Sequence, residues 1–218
     1  MRVACERDQA YDFIPGKTAL LSIDYQRDFL QVGGLCDKRG LPITKLKRTL
    51  EPASKVLETA RAAGMTIIHT RECYAADLSD LNAFRRARDT IIGADGPLGR
   101  FLIRGEAGTA IVDEMSPRSG ESVIDKAGFS AFHGTELDAL LKRNGVTHVV
   151  IMGVTTQVCV ASTLRATVDH GYFPLLLSDC CAAWDALDHE ATIRVIYTEN
   201  HQFGWVSDSR RFLLSLRT

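Results

Sequence analysis

Three side chains in this sequence could together break an amide bond: Cys159, Lys126 and Asp24. A thiolate attacks a carbonyl carbon, and an ammonium beside it lowers the thiol's pKa and steadies the anion. A carboxylate can take the thiol proton and return it to a leaving amine. Such a set suffices for hydrolysis through a thioester-like acyl enzyme and calls for no metal and no cofactor. Cys159 follows an apolar run ending near Val154, where a helical pattern starts near Val158. Unpaired N–H groups and the positive end of a helix favour a thiolate at such a junction. Lys126 ends the apolar stretch VIDK and Asp24 ends LLSID. Charged groups in those places are hard to bury without a task. Cys180 and Cys181 close another apolar run, and Cys5, Cys36 and Cys73 have no helix start behind them, so these five read as structural.

The elements that must hold these groups follow from the apolar runs. TALLSID (Thr18 to Asp24), MTIIHTRE (Met65 to Glu72), SVIDKAG (Ser122 to Gly128), THVVIMGV (Thr147 to Val154) and a run from Phe173 are unbroken rather than alternating. That is the pattern of parallel strands buried on both faces. Between them lie helical patterns at Glu51 to Gly64, Thr135 to Gly145, where Thr-x-x-Asp is close to a capping box, and Val158 to Gly171, with HEATIRVIYTEN as the last clear helix. The alternation predicts an α/β fold with a mainly parallel sheet covered on both sides, in which ligands bind past the carboxyl ends of the strands. Asp24, Arg71 with Glu72, Lys126 and GVTTQVC all fall there. Residues 74–109 are less regular, with DLSDLNAFRRARD as a polar helix and GADGPLGR as a loop, and read as an inserted lid or loop within one domain spanning 1–218.

Composition sets the limits on partners. The 218 residues, 45% hydrophobic and 24% charged, suffice for a full core, and a net charge of −1 without basic clusters argues against nucleic acid and membrane surfaces. A small-molecule partner is expected. The charged N-terminus and the absence of a long apolar run point to a cytoplasmic protein. Six cysteines without a CxxC pair fit reduced thiols.

DYQRDF from Asp24, DKAGFSAF from Asp125 and GVTTQVCVASTLRATVDHGY from Gly153 together resemble the isochorismatase-like cysteine hydrolases, over nearly the whole chain. The resemblance implies a Rossmann-like three-layer α/β/α fold and a homo-oligomer, a dimer or tetramer. It assigns Asp24 as general base, Lys126 as its partner and Cys159 as nucleophile. It further implies a cis peptide between Val154 and Thr155, with the Thr155 and Cys159 amides as the oxyanion hole.

Within that family, nicotinamidases carry an Asp-x-His metal site after the second strand, whereas HTRECYAADLSD offers His69 alone. Isochorismatases lack the cysteine nucleophile, so an intact Cys159 implies amide or ureido chemistry. HTRE followed by DLSDL, and GPLGRFLIRGEAG from Gly96, resemble the ureido branch, with biuret or triuret as the expected substrate and ureidoacrylate or N-carbamoylsarcosine as the alternative. Cys73, Tyr74 and Ala75 depart from the Gly-His-Arg expected of a biuret hydrolase.

A flat ureido compound, rich in donors and acceptors, needs a few polar and aromatic partners. Phe29, which matches a family pocket aromatic, Glu72, and Gln202 in the segment the resemblance places over the site are the candidates. Their plainer readings are core for Phe29, an ion pair with Arg71 for Glu72 and an exposed loop for Gln202. Two rivals use the same fold without this chemistry: an oligomeric non-catalytic protein, and a redox-sensing thiol protein built on Cys159 or the Cys180–Cys181 pair.

Overall fold

A computed structural model describes residues 1–217. Its centre is a six-stranded parallel sheet: β1 Thr18–Ile23, β2 Thr66–Glu72, β3 Ser122–Lys126, β4 His148–Val154, β5 Phe173–Ala182 and β6 Trp205–Ser207. In space the strands run β3, β2, β1, β4, β5, β6, every neighbouring pair parallel. Strand order therefore reverses between β1 and β4. In sheets of this kind the crevice past the strand ends at that switch point is where ligands bind, and Asp24 follows β1 while Cys159 follows β4.

The sheet is buried on both faces because alternate residues of each strand feed opposite layers. Leu20, Val150, Met152, Leu175 and Leu177 pack with helix α1 (Leu50–Ala62) and with Phe212 of the C-terminal helix Ser209–Ser215. Ala19, Leu21, Ile23, Val149, Ile151 and Leu176 pack with α2 (Leu137–Arg143), α3 (Ala161–Asp169) and Ile196 of α4 (Ala186–Ile196). The three-layer α/β/α expectation holds. No helix among the described residues is long and apolar enough to cross a membrane.

The local differences have physical causes. The helix expected from Val158 opens as a π-turn over Thr156–Val160 before α3 continues it. The polar helix expected across DLSDLNAFRRARD shrinks to Ala83–Arg88, capped by Asn82. Upstream of it the Asp77 carboxylate accepts from the Ser79 N–H and Asp80 accepts from the Ala75 N–H. Side chains of this type offer the backbone an alternative to the helix. Missed altogether are the N-terminal hairpin Arg2–Ala4 with Ala10–Asp12, the edge strand β6 and the C-terminal helix, whose start is capped by Asp208. Tyr74, Leu81, Phe101, Leu102 and Ile103 form a third apolar cluster with Leu35, Cys36 and Ile43, which holds the 74–109 stretch against the ends of β2 and β3.

Candidate active site

Strand register alone brings the charged residues together. Glu72 stands opposite Lys126 in the β2–β3 ladder, Thr70 opposite Ile23 in the β1–β2 ladder, and Ile23 opposite Gly153 in the β1–β4 ladder. Asp24, one residue past β1, adopts φ of +53°, a left-handed conformation that Asp tolerates better than most side chains. Such outliers persist where the surroundings fix them. Thr70 Oγ1 donates to Asp24 Oδ1 at 2.6 Å, and the Gln26 amide bridges the ends of β1 and β2 by donating to the Glu72 carbonyl and accepting from the Glu72 N–H.

On that frame Lys126 Nζ lies 2.7 Å from Asp24 Oδ2 and 3.3 Å from Cys159 Sγ, and donates to the Gly128 carbonyl at 3.0 Å. Cys159 Sγ is 3.6 Å from Glu72 Oε2. Asp24, Lys126, Cys159 and Glu72 are all buried. The ligand atoms of Asp24, Glu72 and Cys159 fall within 4.8 Å of one another, as the donors of a metal would. Here the cation among them is the lysine's own ammonium.

Burial works against the charge on Lys126, but Asp24, then Cys159 and Glu72, more than offset it and hold its pKa above the usual lysine value. Burial also works against ionised Glu72, but Lys126 and Arg85 bring its pKa below the usual carboxylate range. For Cys159 burial dominates: the thiol is pushed well above its ordinary value, with Lys126 pulling down and Asp24 and Glu72 pushing up. Burial thus opposes the thiolate that the helix start and the ammonium favour. One ammonium shared with two carboxylates does not offset the loss of water, which shifts the balance at the sulfur toward the neutral thiol. The other five cysteines are also buried and free of disulfides, and burial pushes each of their pKa values up as well. A buried ammonium in contact with sulfur, not an already lowered pKa, sets Cys159 apart.

The Val154–Thr155 bond is cis, as the resemblance implied. Thr155 precedes the π-turn in an extended conformation, and no side chain caps the turn. The first N–H groups of a helical segment lack acceptors within it; in this turn the Val158 and Val160 N–H groups donate to the Thr155 carbonyl that precedes it.

The three candidate pocket residues separate. Glu72 lies at the centre, but its partner is not Arg71: neighbouring residues of a strand point to opposite faces, and Arg71 pairs with Asp125 at 2.7 Å. Glu72 Oε1 instead accepts from Arg85 Nη2 and from the Tyr74 hydroxyl, each at 2.8 Å. Phe29 is half-buried, edge-on to Phe101, between two apolar clusters. Gln202 is exposed, in a turn entered through the left-handed residues Glu199, Asn200 and His201, and the structure does not bring it to the triad. His69 faces the other way, 3.1 Å from Glu121.

Thr70, Gln26, Tyr74 and Arg85 escaped the sequence reading. Period-two alternation was a usable signal for Thr70, which shares the face of Glu72. Nothing local pointed to Arg85, which arrives from thirteen residues further along the chain.

The description isochorismatase domain matches residues 18–211. The chain is similar to the ureidoacrylate amidohydrolase RutB of Acinetobacter baylyi, 31% identical over 220 residues that cover 97% of this chain and 89% of the relative. It is similar also to that of Pantoea ananatis, 33% identical, covering 97% and 86%. Among solved structures, a cysteine hydrolase from Pseudomonas syringae pv. phaseolicola superposes with a TM-score of 0.83 at 25% identity, covering 95% of each chain. An N-carbamoylsarcosine amidase from Thermoplasma acidophilum gives a TM-score of 0.69 at 26% identity, covering 88% and 96%.

Proposed function

The chain belongs to the isochorismatase-domain family, and from that premise we propose that it is a cysteine-dependent amidohydrolase that cleaves a C–N bond in a small ureido compound of the ureidoacrylate type. The observation that carries the mechanism is the contact of Lys126 Nζ with both Asp24 and Cys159 Sγ in a closed setting. The substrate class rests on the ureidoacrylate amidohydrolases that match nearly the whole chain. On these relatives the biuret and triuret expectation gives way to the ureidoacrylate alternative.

In the proposed reaction Asp24 takes the proton of the neutral thiol as sulfur bonds to the carbamoyl carbon, and Lys126 stabilises the negative charge that forms. The carbonyl oxygen becomes an oxyanion, received by the backbone N–H groups of Thr155 and Cys159. Collapse breaks the C–N bond, and the nitrogen leaves with the proton from Asp24. A water then gives its proton to Asp24 and its oxygen to the thioester carbon, which frees the sulfur. Asp24 then returns that proton to the sulfur, which restores the neutral thiol that burial favours. Glu72, fixed by Arg85 and Tyr74, faces the substrate as an acceptor for a ureido N–H, with Phe29 as a wall.

The test is a substrate panel of ureidoacrylate, N-carbamoylsarcosine, biuret, triuret and nicotinamide, with ammonia and carbon products followed together. Turnover led by ureidoacrylate supports the reading. Turnover of nicotinamide with silence across the ureido compounds would overturn the substrate class.

A further inference from the structure

One nitrogen at this site has no acceptor. Arg85 is 6% exposed. Its Nε meets Asp89 and its Nη2 donates to Glu72 Oε1. The Phe129 ring lies 4.2 Å from the centre of the guanidinium and the Tyr74 ring 5.5 Å. Nη1 is buried and has no hydrogen-bond partner among the described residues. A charged donor kept from water without an acceptor is unfavourable and uncommon in native proteins. The partners a guanidinium suits best are planar anions, carboxylates first among them.

A cavity of about 340 Å³ lies alongside, lined by Arg85, Gly128, Phe129, Ser130, His133 and Ser162 among others, none of them acidic. The reacting groups do not line it themselves, but two of its lining residues neighbour them. The Gly128 carbonyl accepts from Lys126 Nζ, and Ser162 lies three residues past Cys159 in the segment that carries the nucleophile. Phe129, the ring over the guanidinium, is itself 37% exposed. Lys126 and Arg85 together meet three carboxylates, Asp24, Glu72 and the partly exposed Asp89, while no acidic residue lines the cavity itself.

We propose that Arg85 Nη1 receives a carboxylate of the substrate, so that the enzyme selects an acidic carbamoyl compound over a neutral one of the same skeleton; this rests on the amidohydrolase reading above. The same guanidinium then sets two things at once. It holds Glu72 against Cys159 through Nη2 and fixes the far end of the substrate through Nη1. The carbamoyl carbon is thereby placed at sulfur by two points rather than one, which is how remote binding serves the reacting centre.

The experiment compares ureidoacrylate with its methyl ester in wild type, Arg85→Lys and Arg85→Met. Wild type should prefer the acid by about 10- to 100-fold in kcat/KM, mostly through KM, the range of one charge-assisted contact. Arg85→Met should bring the two substrates within about threefold of each other, and Arg85→Lys should restore part of the preference. Because Arg85 also holds Glu72, both rates can fall in the variants; the acid-to-ester ratio is the readout that a merely structural role would not move. A wild type that accepts the ester as well as the acid overturns the proposal and leaves the amidohydrolase reading intact, as does an Arg85→Met variant that lowers both alike. Hydrolysis of neither compound by wild type overturns both. Should the variants not fold, inhibition of wild type decides: propionate should compete with the substrate where propionamide does not, and equal or absent inhibition overturns the assignment.

Discussion

Lys126 Nζ lies 2.7 Å from Asp24 Oδ2 with both side chains closed off from solvent, so one ammonium is the counter-charge for Asp24 and, across the β2–β3 ladder, for Glu72. Removing it leaves Asp24 buried without its ion-pair partner and Glu72 with Arg85 alone. Lys126→Met should destabilise the protein by about 3–5 kcal/mol as well as abolish turnover. Urea denaturation measures this, and an unchanged midpoint would show that the ammonium does not hold the carboxylates in place.

The thiol itself gives a pH prediction. Burial raises the Cys159 pKa above the ordinary thiol range, so at neutral pH the neutral form dominates and the thiolate fraction grows as pH rises. Alkylation of Cys159 by iodoacetamide should be slow at neutral pH and still increasing at pH 9. Glu72→Gln removes a negative charge near the sulfur and should raise the alkylation rate at any fixed pH in this range. A rate that levels off below neutral pH would mean a resting thiolate.

Gly153 forms part of the floor beneath the site. Its φ is +147°, and a Cβ there would lie 2.3 Å from the Ile23 carbonyl oxygen. Gly153→Ala must push β4 away from β1 and with it Cys159 away from Asp24. We expect a loss of stability of about 1–3 kcal/mol and a larger proportional loss of kcat than of substrate affinity. Thermal melting and steady-state kinetics on the same preparation check it.

Away from the site, Arg61 and His69 surround Glu121, and although burial opposes ionisation, Arg61 brings the Glu121 pKa down to about 2. A carboxylate with a lowered folded-state pKa adds stability that is present above its unfolded value, about 4.3, and is lost as pH falls through the folded one. Glu121→Gln should therefore cost roughly 2–3 kcal/mol at neutral pH. That difference from wild type should shrink between about pH 4 and pH 2. Denaturant melts across this range would show it, and a pH-independent difference would rule out the ionic origin.

Much of this architecture was legible because burial on both faces leaves unbroken apolar runs, and a charge ending such a run has few reasons to be there. Asp24 and Lys126 were found in that way, and Cys159 by its place between strand and helix. Edge elements were not legible. The three-residue strand β6 carries too little pattern, and Ser209–Ser215 is recognisable mainly through its Asp208 cap. The burial that raises the thiol's pKa was not legible, because a sequence shows the lysine but not the depth at which the sulfur lies. Arg85 was invisible for a different reason: its contact with Glu72 depends on how the 74–109 stretch packs on its own apolar cluster, a tertiary fact with no local period.

The central claim is that Cys159 bonds covalently to the substrate carbon. The direct measurement is acid-quenched single turnover of ureidoacrylate followed by peptide mass spectrometry. The account predicts a carbamoyl or acyl thioester on the peptide bearing Cys159 in wild type, with Cys159→Ser folded but slower by about 10³-fold or more. Turnover by Cys159→Ser at the wild-type rate, with no adduct on Cys159 in wild type, would contradict it.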